Sequence, residues 1–254
     1  MKKLLSLFVF AIAAVAASAQ EGYNYKEFAI GLDVSYDRGY TNIQRQDDKI
    51  GESINFIYNY SPYIPVTAEL QFGNLGGGGL IPSRDKYGRQ YVNHFEGLII
   101  HGDFMMGEVI DYSESGVLNI LKNFYFGSGG GIIFNNNTVQ RTNIYYGEKL
   151  SNGETAPNYG PSTYVFPGQN SSVNFTIPLR FGYEFKIYNG YEEPYIAIDI
   201  GYIHNLVFGE GLDGYDDPSN VFKNNATNQY RQIVVGVKFS FGNITSYNKL
   251  IRRF

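Results

Sequence analysis

This chain lacks some residue types and sequence features and has few of others, and each shortage excludes a class of protein. There is no cysteine among the 254 residues, so disulfides cannot stabilise the fold and a lipoprotein anchor has no attachment site. Only three histidines are present, and they are scattered without the spacing of metal ligands. Beyond residue 20 no run of about 18 apolar residues occurs, so no transmembrane helix is expected.

The N-terminus carries an export signal. Lys2 and Lys3 precede an apolar run over residues 4–17, and Ala17-Ser18-Ala19 forms an A-x-A cleavage site. This arrangement predicts a secretory signal peptide at residues 1–19. Removing Lys2 and Lys3 from the 20 basic residues leaves 18 against 24 acidic ones, a net charge of −6. That negative balance argues against nucleic acid as a partner.

The clearest structural signal is a strict alternation over residues 173–187, VNFTIPLRFGYEFKI. Its odd positions are apolar or aromatic, and its even positions are polar, small or proline. Because successive side chains of a strand point to opposite faces, this segment is one β-strand with an apolar and a polar face. It is longer than the about 5–6 residues of an ordinary strand and reaches the roughly 9–11 that cross a bilayer. We therefore expect one face toward lipid and the other toward a barrel lumen.

Seven further segments show the same alternation, at residues 28–37, 53–60, 66–73, 91–110, 124–134, 195–208 and 229–241. In the fourth, Leu98, Ile100, Phe104 and Met106 are expected outside, with the intervening His101 and Asp103 inside. Residues 111–123 are expected to form a helical turn or short cap. Long and short connections broadly alternate along the chain, as in outer-membrane barrels. The pattern predicts an all-β, eight-stranded antiparallel transmembrane up-and-down β-barrel over residues 20–242, followed by a short periplasmic tail, residues 243–254.

The chain resembles the OmpA/OmpX-like family of small outer-membrane barrels of Gram-negative bacteria. The resemblance rests on the signal peptide, the eight strands and the end of the last strand, Val237-Lys238-Phe239-Ser240-Phe241, which is similar to the family's C-terminal assembly signal. In the family that signal closes the chain, whereas here residues 242–254 follow. The resemblance implies a location in the outer membrane, with outer-membrane lipid and lipopolysaccharide around the barrel and its long loops outside the cell.

Charged residues on the predicted lumen face form the candidate site. An eight-stranded barrel is only wide enough to be filled by side chains, and buried charges must be paired. We therefore predict an ion-pair network that plugs the lumen, with Glu69 and Glu184 as the expected partners of Arg180. A gated pore or a proton path is the alternative interpretation. The network comprises Asp33, Glu69, Asp103, Arg180, Glu184, Asp199 and Lys238, and Lys186 lies on the same face.

Other candidate motifs are weak. His94, His101 and His204 do not lie beside a serine at the spacing of a nucleophile motif, so no catalytic, cofactor-binding or metal-binding residue is predicted. The glycines at residues 76–79 lack the following Gly-Lys-[Ser/Thr] of a phosphate-binding loop and are interpreted as a flexible loop. Asp213, Asp216 and Asp217 do not match a calcium loop and are interpreted as a solvated acidic turn.

These observations favour a non-enzymatic integral outer-membrane barrel with no cofactor. Residues 135–171 are rich in Asn, Gly, Tyr, Ser and Pro, a composition typical of adaptable recognition loops. The barrel is therefore expected to act structurally, as an interaction or adhesion protein through its extracellular loops, or as an accessory subunit that binds an envelope protein. A narrow porin-like channel is the first alternative, and a lipid-modifying enzyme is the second.

Overall fold

Eight antiparallel strands pair in sequence order, and the last returns to pair with the first, so the sheet closes into a barrel. The computed structural model describes residues 24–79, 83–85, 88–112, 115–140, 168–190, 193–216 and 227–247. The predicted signal peptide and residues 248–254 lie outside the described residues. The predicted up-and-down barrel is confirmed.

Every strand contains 15 to 18 residues, more than the roughly 9–11 that cross a bilayer. Each therefore extends beyond the lipid at one or both ends. The strands are β1 Asn24–Tyr40, β2 Gln46–Ser61, β3 Ile64–Gly78, β4 Gln90–Met105, β5 Phe124–Gln140, β6 Ser171–Tyr188, β7 Pro194–Phe208 and β8 Gln229–Ser246.

The two faces of the wall differ as the alternation predicts. On β6, Leu179 and Phe181 are 46% and 45% exposed, whereas Arg180 and Glu184 are each 6% exposed. Similar apolar side chains face outward on all eight strands and form a continuous apolar belt around the barrel. A patch of this size is found on proteins that bury it in a membrane or an interface. In a closed barrel with a polar interior, the belt contacts lipid.

The connections give the barrel its orientation. The turns at residues 62–63 and 189–193 lie at the end where β1 starts and β8 finishes, and the opposite end carries the connections 79–89, 141–170 and 209–228. Outer-membrane barrels place short turns in the periplasm and long loops outside the cell. The end with residues 62–63 is therefore periplasmic, and the other end is extracellular.

One periplasmic connection is longer and contains the predicted helical cap. After β4 the chain forms a 3₁₀ turn, Met106–Glu108, and then a short helix, α1, Gly116–Leu121. Met106, expected on the lipid face of β4, lies in this turn instead. The reason is that β4 ends at Met105. Beyond it, the Gly107 amide donates a hydrogen bond to the Lys122 carbonyl and the chain leaves the sheet. No helix in the described part of the chain is long and apolar enough to cross a membrane.

The last strand continues past the predicted boundary at residue 242. Gly242 has a φ of +93°, and the register with β1 shifts between Lys26 and Phe28. This bulge ends the strict alternation, but pairing resumes with Ile244 opposite Lys26 and continues with Thr245 opposite Tyr25. Residues 243–246, predicted to belong to a tail, are therefore part of β8, which ends at Ser246.

Most of the other strands also extend beyond their predicted ends, β1 to residues 24–40 and β2 to residues 46–61. In β5 and β3 the reason is that the strand ends do not look like strands. β5 runs to Gln140 rather than residue 134, since Asn135 and Asn137 are buried in the polar lumen. The glycines interpreted as a loop lie mostly in β3, where Gly76 and Gly78 pair with β4. A side chain on Gly78 would collide with the Arg89 carbonyl, and Gly78 has a φ of +75°.

The lumen is filled in three layers. Charged and amide side chains occupy the middle layer, and an apolar cluster lies on either side of it. The extracellular cluster contains Ile43, Leu75, Tyr91, Phe95, Ile133, Val207, Leu212, Tyr215 and Tyr230. The periplasmic cluster contains Tyr25, Tyr63, Met105, Tyr112, Tyr125 and Tyr247.

Candidate functional site

Arg180 of β6 is the centre of the first lumen cluster. Its Nη1 donates to Oε2 of Glu69 on β3, and its Nε donates to Oδ1 of Asp103 on β4, each over 3.2 Å. The side chains of all three residues are at most 4% exposed. One guanidinium therefore joins three strands by charge-assisted hydrogen bonds in a site closed to solvent.

Glycines on the intervening strand make this contact possible. Gly127 of β5 pairs with Arg180 on one side and Asp103 on the other, so the three residues form one row across the lumen wall. A side chain on Gly127 would collide with the Asp103 carboxylate, and one on Gly129 would collide with His101. Glycine at these positions therefore lets lumen side chains of the neighbouring strand approach the wall closely.

His101 lies between the two carboxylates of this cluster, although it was not among the predicted site residues. Its Nε2 is 3.5 Å from Oε2 of Glu69, and its Nδ1 is 3.4 Å from Oδ1 of Asp103. The alternation of β4 already places His101 on the lumen face two residues before Asp103. That shared face was the only signal in the sequence that could have identified it.

A second cluster surrounds Lys238, nearer the periplasm. Lys238 Nζ donates to Oε2 of Glu184 over 2.7 Å and lies 3.6 Å from Oδ2 of Asp199. Lys186 Nζ lies 3.7 Å from Oε1 of Glu184, and the Tyr125 hydroxyl donates to Asp199 over 3.3 Å. The two carboxylates of this cluster therefore share two cations and one hydroxyl.

The predicted pairing of Arg180 with Glu184 is wrong. Both residues face the lumen from β6, but four strand positions separate them by about 13 Å along the strand. Arg180 therefore contacts Asp103, and Glu184 contacts Lys238. Relative heights across the lumen depend on the stagger of the strands, which the sequence pattern does not reveal.

Asp33 lies beside these clusters and is held by neutral donors. Asn55 Nδ2 and Ser53 Oγ, both on β2, donate to its Oδ2. Gly236 separates Asp33 from Asp199 in one row across β1, β8 and β7, and a side chain there would collide with the Asp33 carboxylate. The structure thus brings six of the seven predicted residues into two clusters and places the seventh next to them.

Part of the extracellular cluster comes from a connection that the sequence did not assign to the interior. Leu212 and Tyr215 are buried in the lumen mouth, at 0% and 3% exposure. Asp213, expected to be solvated, is 2% exposed, and its Oδ1 accepts from the Tyr215 amide over 3.0 Å. Burial raises the pKa of the Tyr215 hydroxyl, because its ionised form would lose hydration. The turn folds inward because Leu212 and Tyr215 are apolar neighbours of the acidic residue.

Space in the lumen is small on the periplasmic side. A cavity of about 30 Å³ lies among Lys186, Lys238 and Met105, room for about one water molecule. Below it, the Tyr63 hydroxyl donates to the Tyr112 hydroxyl over 2.7 Å. The described side chains therefore occupy most of the lower lumen.

The remaining histidines lie on the outer wall. His94 is exposed on β4, and His204 of β7 lies close to Tyr202 and Gln229. Neither is joined by a serine hydroxyl and a carboxylate as in a hydrolase. In the described ranges, the structure brings together no set of three or more His, Asp or Glu side chains able to hold a metal ion.

Comparison with known proteins gives matches among solved structures only. No family model matches the chain, and no curated protein matches its sequence. The attachment invasion locus protein Ail of Yersinia pestis, solved in complex with the heparin analogue sucrose octasulfate, is 10% identical over 85% of this chain and 99% of its own, with a TM-score of 0.43. Neisserial surface protein A is 12% identical over 85% and 97%, with a TM-score of 0.41. The outer membrane protein OprG of Pseudomonas aeruginosa is 13% identical over 87% and 99%, with a TM-score of 0.36.

The structure itself settles the class of protein. Its sheet is closed, its outer surface is an apolar belt and its interior is polar and ion-paired. Only helices and closed barrels satisfy their backbone groups in lipid, and closed barrels of this kind belong to outer membranes. The chain is an integral outer-membrane β-barrel with the small eight-stranded architecture that its sequence predicted.

Proposed function

We propose that the protein is a non-conducting, non-enzymatic barrel whose lumen is plugged by its own side chains. It acts through its extracellular end, as an interaction or adhesion surface or as an accessory subunit of an envelope complex. The observation that supports this proposal is the row of Arg180, Gly127 and Asp103 along the lumen wall, from which the buried guanidinium also reaches Glu69 on β3.

The plug is more than one ion pair. Above the charged layer, Asn93 Nδ2 donates to Asn135 Oδ1 over 2.7 Å, and Asn135 Nδ2 donates to Asn174 Oδ1 over 2.9 Å. Tyr230 donates to Gln71 over 3.0 Å across the same interior. A permeating ion would have to break several buried contacts in succession, each with an unfavourable desolvation cost.

The extracellular end supports the second half of the proposal. Binding residues are often carried on loops held by a rigid scaffold, and here the long connections start from the strand ends of a closed sheet. The extracellular stretch between β5 and β6, rich in Asn, Gly and Tyr, has the composition of an adaptable recognition surface.

Planar-bilayer recording tests the plug. The unmodified barrel should insert without steady open-channel current. A triple variant, Arg180→Ala, Glu69→Ala and Asp103→Ala, removes one cation and two carboxylates together and should increase conductance if it assembles. Heat-modifiable gel mobility verifies assembly of both proteins. Steady currents from the unmodified barrel would contradict the proposal and favour the narrow-channel alternative.

Crosslinking in intact cells, followed by purification from outer membranes, tests the interaction role. We expect an envelope protein or an extracellular macromolecule to be captured through the loops. A barrel with residues 141–167 replaced by a short Gly-Ser linker is the matched control and should lose the captured partner. Equal capture by both barrels would contradict recognition through this loop.

A further inference from the structure

A row of four polar side chains crosses the outside of the barrel at the extracellular margin of the apolar belt. Each is the cross-strand partner of the next, on β7, β8, β1 and β2 in turn. All four face outward, because they alternate with lumen residues and follow outward apolar residues such as Ile233 and Tyr36. We call this set the outer-wall row; it comprises His204, Arg231, Arg38 and Asp48.

The outer-wall row has more positive than negative charge. Arg38 and Arg231 lie directly opposite each other, an arrangement that is unfavourable for like charges. They share one carboxylate, with Nη1 of Arg38 3.3 Å and Nη2 of Arg231 3.8 Å from the two oxygens of Asp48. Within the described residues, neither Nε of Arg231 nor Oδ1 of Asp48 has a hydrogen-bond partner, so the one carboxylate does not saturate the two guanidinium groups. The row therefore has spare capacity to bind an anion.

A cleft lies next to the outer-wall row, at His204. Its volume is about 320 Å³, and it is lined by Tyr40, Thr41, His204, Thr227 and Gln229. The Tyr40, Thr41 and Thr227 hydroxyls can donate hydrogen bonds to an oxyanion, whereas the two ring nitrogens of His204 contact Tyr202 and Gln229. Tyr40 also lies 5.9 Å from the Arg231 guanidinium, which holds that side chain beside the cleft.

We propose that the outer-wall row and its cleft bind the phosphate group of an outer-leaflet lipid. Arginine forks match phosphate oxygens bidentately, so Arg38 and Arg231 together can hold one phosphate group and relieve their mutual repulsion. The row lies on the outer wall, where lipid headgroups meet the protein, and not in the lumen. The proposal rests on the location in the outer membrane and does not depend on whether the lumen is plugged.

Native mass spectrometry of the full-length protein tests the assignment. The probes are diphosphoryl lipid A, the same lipid after removal of both phosphates, and inorganic phosphate. The unmodified barrel should retain the diphosphoryl lipid. Arg231→Gln and Arg38→Gln should each weaken its binding about tenfold, as expected for the loss of one charge-assisted hydrogen bond. Asp48→Asn should strengthen binding, because it removes the carboxylate that competes with the phosphate.

The matched control is Arg45→Gln, which removes the same charge from an exposed residue of the neighbouring loop and should leave lipid binding unchanged. All variants are first shown to be folded by heat-modifiable mobility. Equal binding by the unmodified barrel and the double variant Arg38→Gln/Arg231→Gln would overturn the proposal. Equal retention of the dephosphorylated lipid would overturn the role of phosphate, and inorganic phosphate that binds as tightly as the lipid would overturn the lipid source.

Discussion

The two arginine sites of this barrel have similar chemistry and opposite surroundings. Arg180 lies in the lumen with its side chain 4% exposed and two carboxylates within 3.2 Å. Arg38 lies on the outer wall with its side chain 34% exposed, and it shares one carboxylate with Arg231. In the lumen, protein groups alone must satisfy the cation, whereas on the outer wall water and lipid headgroups complete its contacts.

This difference determines what each site contributes to stability. A buried charge that loses its partner remains in a poorly solvated interior, so removing one member costs several kcal/mol. An exposed pair is screened and resolvated, so its loss costs little. The lumen cluster therefore stabilises the barrel, and the outer-wall row is free to bind a ligand. The variants below test this contrast in order of decreasing effect, with unfolding in urea followed by gel mobility in lipid vesicles.

Arg180→Ala should have the largest effect. It leaves the buried Glu69 and Asp103 carboxylates with His101 between them and without the guanidinium that donates to both, at a cost of about 3–5 kcal/mol in the free energy of unfolding. Arg180→Lys keeps the charge but loses the fork that reaches both carboxylates, and it should recover part of the loss. If Arg180→Ala unfolded at the same urea concentration as the unmodified protein, the buried cluster would not stabilise the barrel.

Leu179→Arg should come next. It adds a cation on the lipid face of β6, one residue from the lumen-facing Arg180 and near the middle of the apolar belt. The expected cost is about 2–4 kcal/mol. Asn136→Arg, on the exposed extracellular margin of β5, is the control and should cost about 0–1 kcal/mol. Equal effects of the two variants would mean that the position assigned to the apolar belt along the strands is wrong.

Lys238→Met should be milder than Arg180→Ala. Glu184 keeps Lys186, and Asp199 keeps the Tyr125 hydroxyl, so the carboxylates are not left without partners. A loss of about 1–3 kcal/mol is expected. Ser240→Ala removes a small uncharged lumen group from the same strand and serves as the control. A cost for Lys238→Met above that of Arg180→Ala would show that the two clusters are not as different as their contacts indicate.

Arg38→Gln should have the smallest effect on stability, at most about 1 kcal/mol, while it weakens lipid binding as described above. A loss as large as that of Arg180→Ala would mean that the outer-wall row is a structural ion pair. The contrast between the two sites would then be lost.

The alternation of the sequence was sufficient to predict the barrel and the facing of its side chains. It assigned Arg180, Glu184 and Lys238 to the lumen because a strand's period of two leaves only two faces. It could not predict that Arg180 contacts Asp103, since cross-lumen contacts depend on strand stagger. Strand ends were also missed, because the bulge at Gly242 and the asparagines of β5 interrupt the apolar half of the pattern.

The inward turn of Leu212 and Tyr215 shows a second limit of the sequence. Asp213 and the acidic residues after it resemble a solvated loop. Local composition does not reveal that the barrel mouth beside them offers an apolar site for Leu212 and Tyr215. Only the closed sheet creates that apolar site, lined by Tyr91, Phe95 and Tyr230. Features that depend on several strands at once were therefore the ones that sequence reasoning missed.

The position of Arg180 along the chain has a consequence for the order of assembly. Its carboxylate partners lie 77 and 111 residues earlier in the sequence, and contacts between distant residues form slowly because long loops must close first. Until β6 docks on β5, Glu69 and Asp103 have no guanidinium between them. The Arg180 cation therefore joins the cluster only when the sixth strand docks, and it favours the nearly complete barrel over earlier intermediates. We expect an Arg180 variant to accumulate as partly assembled chains before any loss of the finished barrel is seen.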